Sequence, residues 1–281
     1  SDGETALHLY QENSREFVAS LGGMFAIAIF DEPAEQLTLV RDRNGIKPLY
    51  YYRNERNLFF ASELKAILAI LPRRPAISPQ ALREYLRWKF IPSPLTIYEG
   101  IFELPPGHRL CARRNAAAGR LDITIERYWE PDYSEPKLTN ENEAVDQLDR
   151  LLRAAVESHL ESDVEVGALL SGGVDSSLVV ALASQLSGRR LKTFTVGFRE
   201  EGFDQLPFAR VLAKRYNTDH YEEYVDFNPM TAVPKLVRHF DQPFADSSAL
   251  ACYRVCDVAS RHVKVALTGD GGDETFAGYR R

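Results

Sequence analysis

This sequence has few cysteines, no long apolar run and little excess of charge of either sign. The three cysteines form neither an even set nor a zinc-binding spacing, so we expect a reducing compartment and a cytoplasmic location. No apolar run approaches the roughly 20 residues that cross a bilayer, and we expect neither a signal peptide nor a membrane partner. The 34 basic and 40 acidic side chains leave a net charge of -6, which gives no indication of a nucleic-acid partner. The expected partners are small molecules.

Cys252 and Cys256 stand four residues apart in a stretch that we predict to be helical. This spacing puts both side chains on one helical face. We expect them to pack as small buried side chains and not to hold a metal ion, because the spacing of a metal site is missing.

The length of 281 residues is sufficient for two domains with substantial cores. The chain has no initiator Met and starts directly on a helix-capping pattern, so we interpret it as a trimmed chain or a fragment. Prolines interrupt residues 72–138, and a polar linker covers 131–139. We therefore predict one domain over residues 1–135 and a second over residues 136–281.

Short strands dominate the first half. The continuous apolar run of residues 24–30 predicts a strand buried on both faces, and residues 37–41 are expected to pair with it as a hairpin. Two further strands before residue 62 suggest sheet layers with helices outside. Arg41 and Asp42, at a strand end, are expected to belong to a solvated salt-bridge cluster.

Helices and strands alternate in the second half. A helical period over residues 143–160 precedes a strand at 164–170. Later strands are predicted at 192–196, 220–225 and 263–267, with helices at 176–186, 206–216 and 249–261. This alternation predicts an α/β domain with a doubly wound parallel sheet, which binds ligands at the carboxyl ends of its strands.

The most informative stretch is 169–177, where an apolar strand passes through two glycines into a helix. Glycine permits positive φ and close approach of a ligand, and the first turn of a helix offers free N–H groups at the positive end of its dipole. Serines at 171, 176 and 177 add hydroxyl groups. The pattern predicts a phosphate-binding turn; a glycine turn with an N-capping serine is the alternative.

Asp175 distinguishes this turn from a Walker A loop, which has a lysine at that position. A carboxylate that faces phosphates is repelled by them unless a divalent cation lies between. We therefore expect Asp175 to be a magnesium ligand.

Residues 171–176 read Ser-Gly-Gly-Val-Asp-Ser and resemble the pyrophosphate loop of the N-type ATP pyrophosphatases. Those proteins cleave ATP between its α and β phosphates and adenylate a substrate. The resemblance implies ATP contacts from the loop and the residue before it: Leu170, Ser171, Gly172, Gly173, Asp175 and Ser176.

Two later stretches fit the same ATP site. Residues 193–198 end a strand where the backbone can flank an adenine, and the resemblance puts the base near Val196. Residues 267–274 are similar to a segment that supplies ATP contacts and a second magnesium ligand in the asparagine synthetase family. The implied residues are Thr268 and Gly269 for ATP and Asp273 for the metal.

The same family also suggests residues near the reacting groups. Asp270 stands where the family has an acid of the reaction centre, often a glutamate. Residues 241–248 resemble a segment that we expect near the acceptor substrate.

The first half resembles the later part of a class II glutamine amidotransferase domain, over residues 21–26, 41–51 and 61–65. The resemblance implies part of an N-terminal-nucleophile hydrolase sandwich, but the family's nucleophilic cysteine is missing and Ser1 begins the chain. Asp2 lies in a motif whose aspartate grips the amino group of glutamine, so a glutamine contact is implied, with a helix N-cap as the alternative. Without the nucleophile we do not expect this chain to hydrolyse glutamine.

Both halves follow the order of the glutamine-hydrolysing asparagine synthetase family, and the resemblance covers nearly the whole chain. It implies that ATP and magnesium activate aspartate as an acyl adenylate, which ammonia from glutamine then attacks; a homodimer is compatible with it. A lysine that the family uses later is expected beyond residue 281. Two alternatives stay open: a related ATP-dependent amidotransferase or β-lactam synthetase acting on another carboxylate, and a non-catalytic nucleotide-binding remnant.

Overall fold

The computed structural model describes residues 2–14, 16–115, 117–134, 140–198, 205–224 and 228–279. It divides into two units, the first formed by Ser1–Ser134 and Val237–Asp246 and the second by Glu135–Leu236 and Ser247–Arg281. The first unit thus includes a segment from late in the chain. No helix in the described ranges combines the length and the hydropathy needed to cross a membrane.

Two antiparallel sheets form the first unit. The larger sheet has the spatial order β1 (Ala26–Asp31), β2 (Gln36–Arg41), β6 (His108–Asn115) and β7 (Arg120–Arg127). The smaller sheet has the order β4 (Leu58–Ala61), β3 (Tyr50–Arg53) and β5 (Ile101–Glu103). The helices of this part are α1 (Asp2–Glu12), α2 (Leu64–Ile70) and α3 (Pro79–Trp88), with a short 3-10 turn at Phe17–Ser20. The hairpin of β1 and β2 was predicted and is confirmed.

The burial predicted for β1 is wrong. Within the described residues β1 pairs with β2 alone and is an edge strand. Its residues alternate between exposed and half-buried, and Phe30 is 64% exposed. A continuous apolar run shows that both faces of a strand are apolar. It does not show how many neighbouring strands pair with that strand.

Arg41 and Asp42 are buried, which corrects the expectation of a solvated cluster. Their exposed fractions are 5% and 1%. Arg41 pairs with Glu103 at 2.8 Å and donates to three main-chain carbonyls, those of Gly45, Lys47 and Leu104. The Asp42 carboxylate accepts from three backbone amides, those of Asn44, Ile46 and Lys47. These buried charges fix the turn between β2 and β3 and satisfy its backbone.

The segment Val237–Asp246 supplies a helix cap within the first unit. The Asp241 carboxylate accepts a hydrogen bond from the Lys65 amide at 3.1 Å and lies 3.2 Å from Lys65 Nζ. Lys65 is in the first turn of α2, and the side chain of the N-cap residue Glu63 makes no capping hydrogen bond to the backbone of the helix. Asp241 therefore caps α2 from 176 residues away in the sequence.

The second unit contains a four-stranded sheet in the order β10, β9, β8, β11, and all its pairings are parallel. The strands are β8 (Val166–Leu169), β9 (Lys192–Gly197), β10 (Asp219–Tyr224) and β11 (Val265–Leu267). The helices after residue 140 are α4 (Glu141–Leu160), α5 (Val174–Leu186), α6 (Leu206–Arg215), α7 (Pro229–Phe240), α8 (Ser248–Ser260) and α9 (Gly272–Phe276). The predicted parallel sheet is confirmed, whereas the N-terminal-nucleophile sandwich stays a prediction.

Two separate apolar clusters cover this parallel sheet. One joins the sheet to α4, α5 and α6 through buried residues such as Val156, Ala183 and Ala209. The other joins it to α8 around Phe194 and Val258. The chain builds β8, β9 and β10 outwards and then returns to place β11 on the other side of β8. Parallel sheets bind ligands beyond the carboxyl ends of the strands at such a reversal, which directs attention to β8 and β11.

Candidate functional site

A cleft of about 660 Å³ lies in the second unit beyond the ends of β8, β9 and β11. Its lining includes ten of the residues predicted from the sequence: Leu170, Ser171, Gly173, Asp175, Ser176, Val196, Thr268, Gly269, Asp270 and Asp273. A larger groove of about 1010 Å³ lies in the first unit, but among the described residues that line it Lys47 is the one charged side chain. The convergent polar groups therefore make the smaller cleft the candidate site.

Gly172 does not line the cleft but gives the turn its shape. Its φ is +81°, which favours glycine. A Cβ atom there would lie 2.7 Å from the Cβ of Phe208 on α6. Gly172 therefore lets the turn pass close to α6, while its neighbours face the cleft.

The side chains of two serines, Ser171 and Ser176, form hydrogen bonds within the turn. Ser176 Oγ accepts a hydrogen bond from the Ser171 amide at 3.2 Å and lies 2.9 Å from Ser171 Oγ. Ser176 is 8% exposed, whereas Ser171 is exposed. The buried hydroxyl thus shapes the loop, and the exposed one is available to a ligand.

The N-terminus of α5 is the part of the cleft that is suited to an anion. Gly173 is the N-cap and, because it has no side chain, the first turn of the helix has no side-chain cap from this residue. Val174 and Asp175, the first two helical residues, both line the cleft. Their amides lie at the positive end of a 13-residue helix, which is the arrangement that binds phosphates.

Asp175 and Asp273 bring two carboxylates to the same cleft. Gly269 and Gly272 allow the close approach of the two segments, because a Cβ atom on either would be within 3.0 Å of Asp175 atoms. Among the described residues there is no group of three or more Asp, Glu, His or Cys side chains arranged to hold a metal ion. Two carboxylates beside a helix N-terminus still suit magnesium, which commonly takes one or two protein carboxylates and completes its shell with phosphates and water.

Asp270 lies at the exposed edge of the cleft. Thr268 Oγ1 donates to its carboxylate at 2.9 Å, and the Asp270 amide donates back to Thr268 Oγ1 at 3.3 Å. This reciprocal pair fixes the carboxylate beside Thr268, and the hydrogen bonds of the described residues give it no cationic partner.

Val196 lies on the part of β9 that continues past β8. The last pairing between the two strands joins Phe194 to Leu169, and the Leu170 amide still donates to the Phe194 carbonyl at 2.9 Å. Beyond that point, the β8-facing edge of β9 at Val196 opens to the cleft. It offers backbone groups and an apolar side chain of the kind that flank a nucleobase.

Two predicted features lie outside the cleft. Asp2 opens α1 in the first unit, so its implied contact with glutamine stays a prediction, and the residue before it lies outside the described ranges. Asp241 and Gln242, from the segment expected near the acceptor, belong to the first unit, where they accept from the amides of Lys65 and Ile97.

One wall of the cleft was not anticipated from the sequence. Ala251, Cys252 and Val255 on α8 line it. Cys252 and Cys256 are both exposed free thiols, so the expectation that they pack in the core is wrong. The i, i+4 spacing was the available signal for a shared face, but only the position of α8 beside β8 and β9 reveals what that face adjoins.

Two family models match this chain, one in its first half and one in its second half. Residues 147–281 match the family model of asparagine synthase, and residues 1–129 match that of a glutamine amidotransferase domain. A glutamine-hydrolysing asparagine synthetase of Bacillus subtilis is 35% identical over 99% of this chain and 43% of its own length. A putative one of Methanocaldococcus jannaschii is 36% identical over 99% of this chain and 54% of its own length. An amidase of Gibberella zeae is 31% identical over 99% of this chain and 43% of its own length. The chain spans about half the length of the curated relatives that it matches.

Proposed function

The chain belongs to the asparagine synthetase family, and we propose that it carries the ATP site of a protein that makes asparagine from aspartate, ATP and glutamine. ATP would activate the β-carboxylate of aspartate as an acyl adenylate, and ammonia from glutamine would displace AMP. The proposal concerns the full-length protein, with a cytoplasmic location and a homodimer as further expectations. The observation that carries it is the meeting of residues 170–176 and 268–273 in one cleft.

The phosphate chain of ATP is proposed to lie on the first turn of α5. The amides of Val174 and Asp175 would bind phosphate oxygens, assisted by the exposed Ser171 hydroxyl. These donors are fixed by the helix before the ligand arrives, so little reorganisation is needed when pyrophosphate departs.

Asp175 and Asp273 are the residues that would hold magnesium. Both residues line the cleft, Asp175 from the first turn of α5 and Asp273 from α9. Magnesium bound with ATP would offset the negative charge that builds on the leaving pyrophosphate.

The adenine is proposed to lie between the open edge of β9 at Val196 and the α8 wall formed by Ala251 and Val255. Asp270, held by Thr268, would then stand near the α phosphate and the carboxylate that attacks it. The glutamine contact is assigned to Asp2 on the strength of the family motif alone.

A second candidate differs in the acceptor. The amidase of Gibberella zeae is similar to this chain over the same 99% of its length, so a related ATP-dependent amidotransferase that acts on another carboxylate is the competing proposal. Pyrophosphate release that depends on aspartate would favour asparagine synthesis, whereas release with a different carboxylate would favour the alternative.

Calorimetric titration of this chain with ATP, with and without magnesium, tests the ATP site. Asp175→Asn is expected to weaken magnesium-dependent ATP binding by at least about tenfold, equivalent to about 1.4 kcal/mol. Asp163→Asn is the matched control, since Asp163 is exposed and outside the cleft. Equal affinities of the wild type and Asp175→Asn would refute the proposed metal role.

A further inference from the structure

Cys252 and Cys256 form a thiol pair on α8 that the proposed reaction does not use. Cys252 lines the cleft, and Cys256 follows one turn later on the same helix. Both are exposed, and neither takes part in a disulfide. A thiol on the wall of a ligand cleft is accessible to reagents, unlike a cysteine that is packed in a core.

Cys252 and Cys256 lie on the same face of α8, one turn apart. The hydrogen bond with Cys256 is the largest influence on Cys252 and lowers its pKa to about 7, although burial and the Asp270 carboxylate act in the opposite direction. The same hydrogen bond raises the pKa of Cys256. The lowered pKa increases the thiolate fraction of Cys252 near neutral pH.

We propose that Cys252 is a modification site at which a low-molecular-weight disulfide forms a mixed disulfide, and that the adduct closes the cleft to nucleotide. The Cys252 thiolate attacks one sulfur of the disulfide RS–SR and forms a new S–S bond. The original S–S bond breaks, and the second half leaves as the thiolate RS⁻. The disulfide itself is the oxidant, and excess RSH reverses the reaction.

Competition with nucleotide follows from the position of the sulfur. Cys252 shares the α8 wall with Ala251 and Val255, in the cleft that Val196 also lines. A glutathionyl group on Cys252 and the adenine of ATP would therefore occupy the same part of the cleft. The competition between the adduct and nucleotide rests on the proposed function, whereas the reactivity of Cys252 does not.

The site is tested by treating the reduced chain with glutathione disulfide at neutral pH and mapping the adducts by mass spectrometry. Trypsin cleavage after Arg254 separates the Cys252 and Cys256 peptides, and half-buried Cys111 serves as an internal control. We expect Cys252 to react first. Preferential reaction of Cys111 or Cys256 would overturn the assignment.

Cys256→Ala tests the activating neighbour. Without Cys256, partial burial and the Asp270 carboxylate leave the Cys252 pKa at or above an ordinary value of about 8.5. This cuts the thiolate fraction at pH 7 from about a half to a few per cent or less, but the more basic thiolate is more nucleophilic. The net expectation is a reaction at Cys252 at least about threefold slower, with the rate at Cys111 and the thermal unfolding temperature unchanged. An unaltered rate at Cys252 would contradict the role of Cys256.

Protection by magnesium and ATP separates this inference from the proposed function. ATP at ten times its dissociation constant leaves about one cleft in eleven empty, so the modification of Cys252 is expected to slow about tenfold. If ATP binds without protecting Cys252, the adduct does not compete with nucleotide and that part is wrong. If ATP does not bind but Cys252 still reacts first, the proposed function fails and the modification site stands.

Discussion

The carboxylate of Asp175 lies in the space that a side chain on Gly272 would need. An ideal Cβ atom on Gly272 would be 2.8 and 2.9 Å from the two carboxylate oxygens of Asp175. Real Cβ atoms do not approach other heavy atoms so closely, so any side chain at residue 272 must displace the carboxylate. This contact joins the turn after β8 to the start of α9 inside the candidate ATP site.

Gly272→Ala is therefore expected to weaken magnesium-dependent ATP binding by about tenfold, because Asp175 must move from its place beside the phosphate-binding turn. The free energy of unfolding is expected to change by less than about 1 kcal/mol, since the helical backbone at this residue accepts alanine. Titration calorimetry and thermal unfolding measure the two effects. Gly3→Ala is the matched control, with open space around its Cβ; ATP binding by Gly272→Ala that equals the control would contradict the assigned contact.

Ser176→Ala is expected to lower both the stability of the turn and the affinity for ATP. The substitution leaves the Ser171 amide without its acceptor, and a lost hydrogen bond of this kind typically costs about 1 kcal/mol. Ser177→Ala is the comparison, because that hydroxyl donates to the Gly173 carbonyl at the start of its own helix. Urea unfolding and ATP titration of both variants give the result, and equal losses in the two would count against a special role for Ser176.

Asp241→Ala is expected to destabilise the first unit by about 1 kcal/mol or somewhat more, because α2 loses its cap. Asp241 also has a φ of 62°, which alanine adopts less readily than asparagine. Asp241→Asn keeps an acceptor for the Lys65 amide and tolerates this backbone, so its unfolding temperature is expected to lie between those of wild type and Asp241→Ala. The reverse order of the two variants would show that Asp241 does not act as a cap.

His220 is expected to make stability fall on mild acidification. Burial lowers the pKa of His220, opposed by Glu222 and aided by Arg210. Below an ordinary value of about 6.5 the unfolded chain binds a proton that the folded chain does not, so the free energy of unfolding falls as the pH falls towards the lowered pKa. The slope from this residue is at most about 1.4 kcal/mol per pH unit, and it fades over about one pH unit above 6.5.

Denaturant unfolding of wild type and His220→Gln at several pH values between 7.5 and 5 would measure this term. The variant is expected to be less stable at the higher pH, because Thr193 Oγ1 lies 2.9 Å from His220 Nδ1. The stability gap between the two proteins is expected to narrow as the pH falls. Parallel curves for the two proteins would assign the pH dependence to other groups.

Local patterns predicted most of the second unit because its elements depend on neighbours in sequence. The start of α3 in the first unit also depends on neighbouring residues, since the Ser78 hydroxyl accepts a hydrogen bond from the Ala81 amide and caps the helix. In contrast, α7 was missed because Pro234 lies inside it, and proline ordinarily ends a helical pattern.

Features that depend on residues far apart in the sequence could not be predicted from local patterns. Arg41 reads as a surface charge until the carbonyl of Leu104 and the carboxylate of Glu103 are brought to it. Likewise, Ser171 and Asp175 carry a motif that can be recognised from its letters, whereas Ala251 and Val255 have no chemical signature. Their place in the cleft follows from the strand order, which sets α8 against β8 and β9.

The cap that Asp241 provides for α2 has a consequence for the order of events during synthesis. The first unit cannot be complete until residue 246 has left the ribosome, and β8, β9 and β10 have by then already emerged. A polypeptide released at the linker after residue 134 would lack this cap and expose the first turn of α2 to solvent. Translation therefore cannot finish the first unit before much of the second exists, unlike proteins whose amino-terminal domains mature while the rest is still being made.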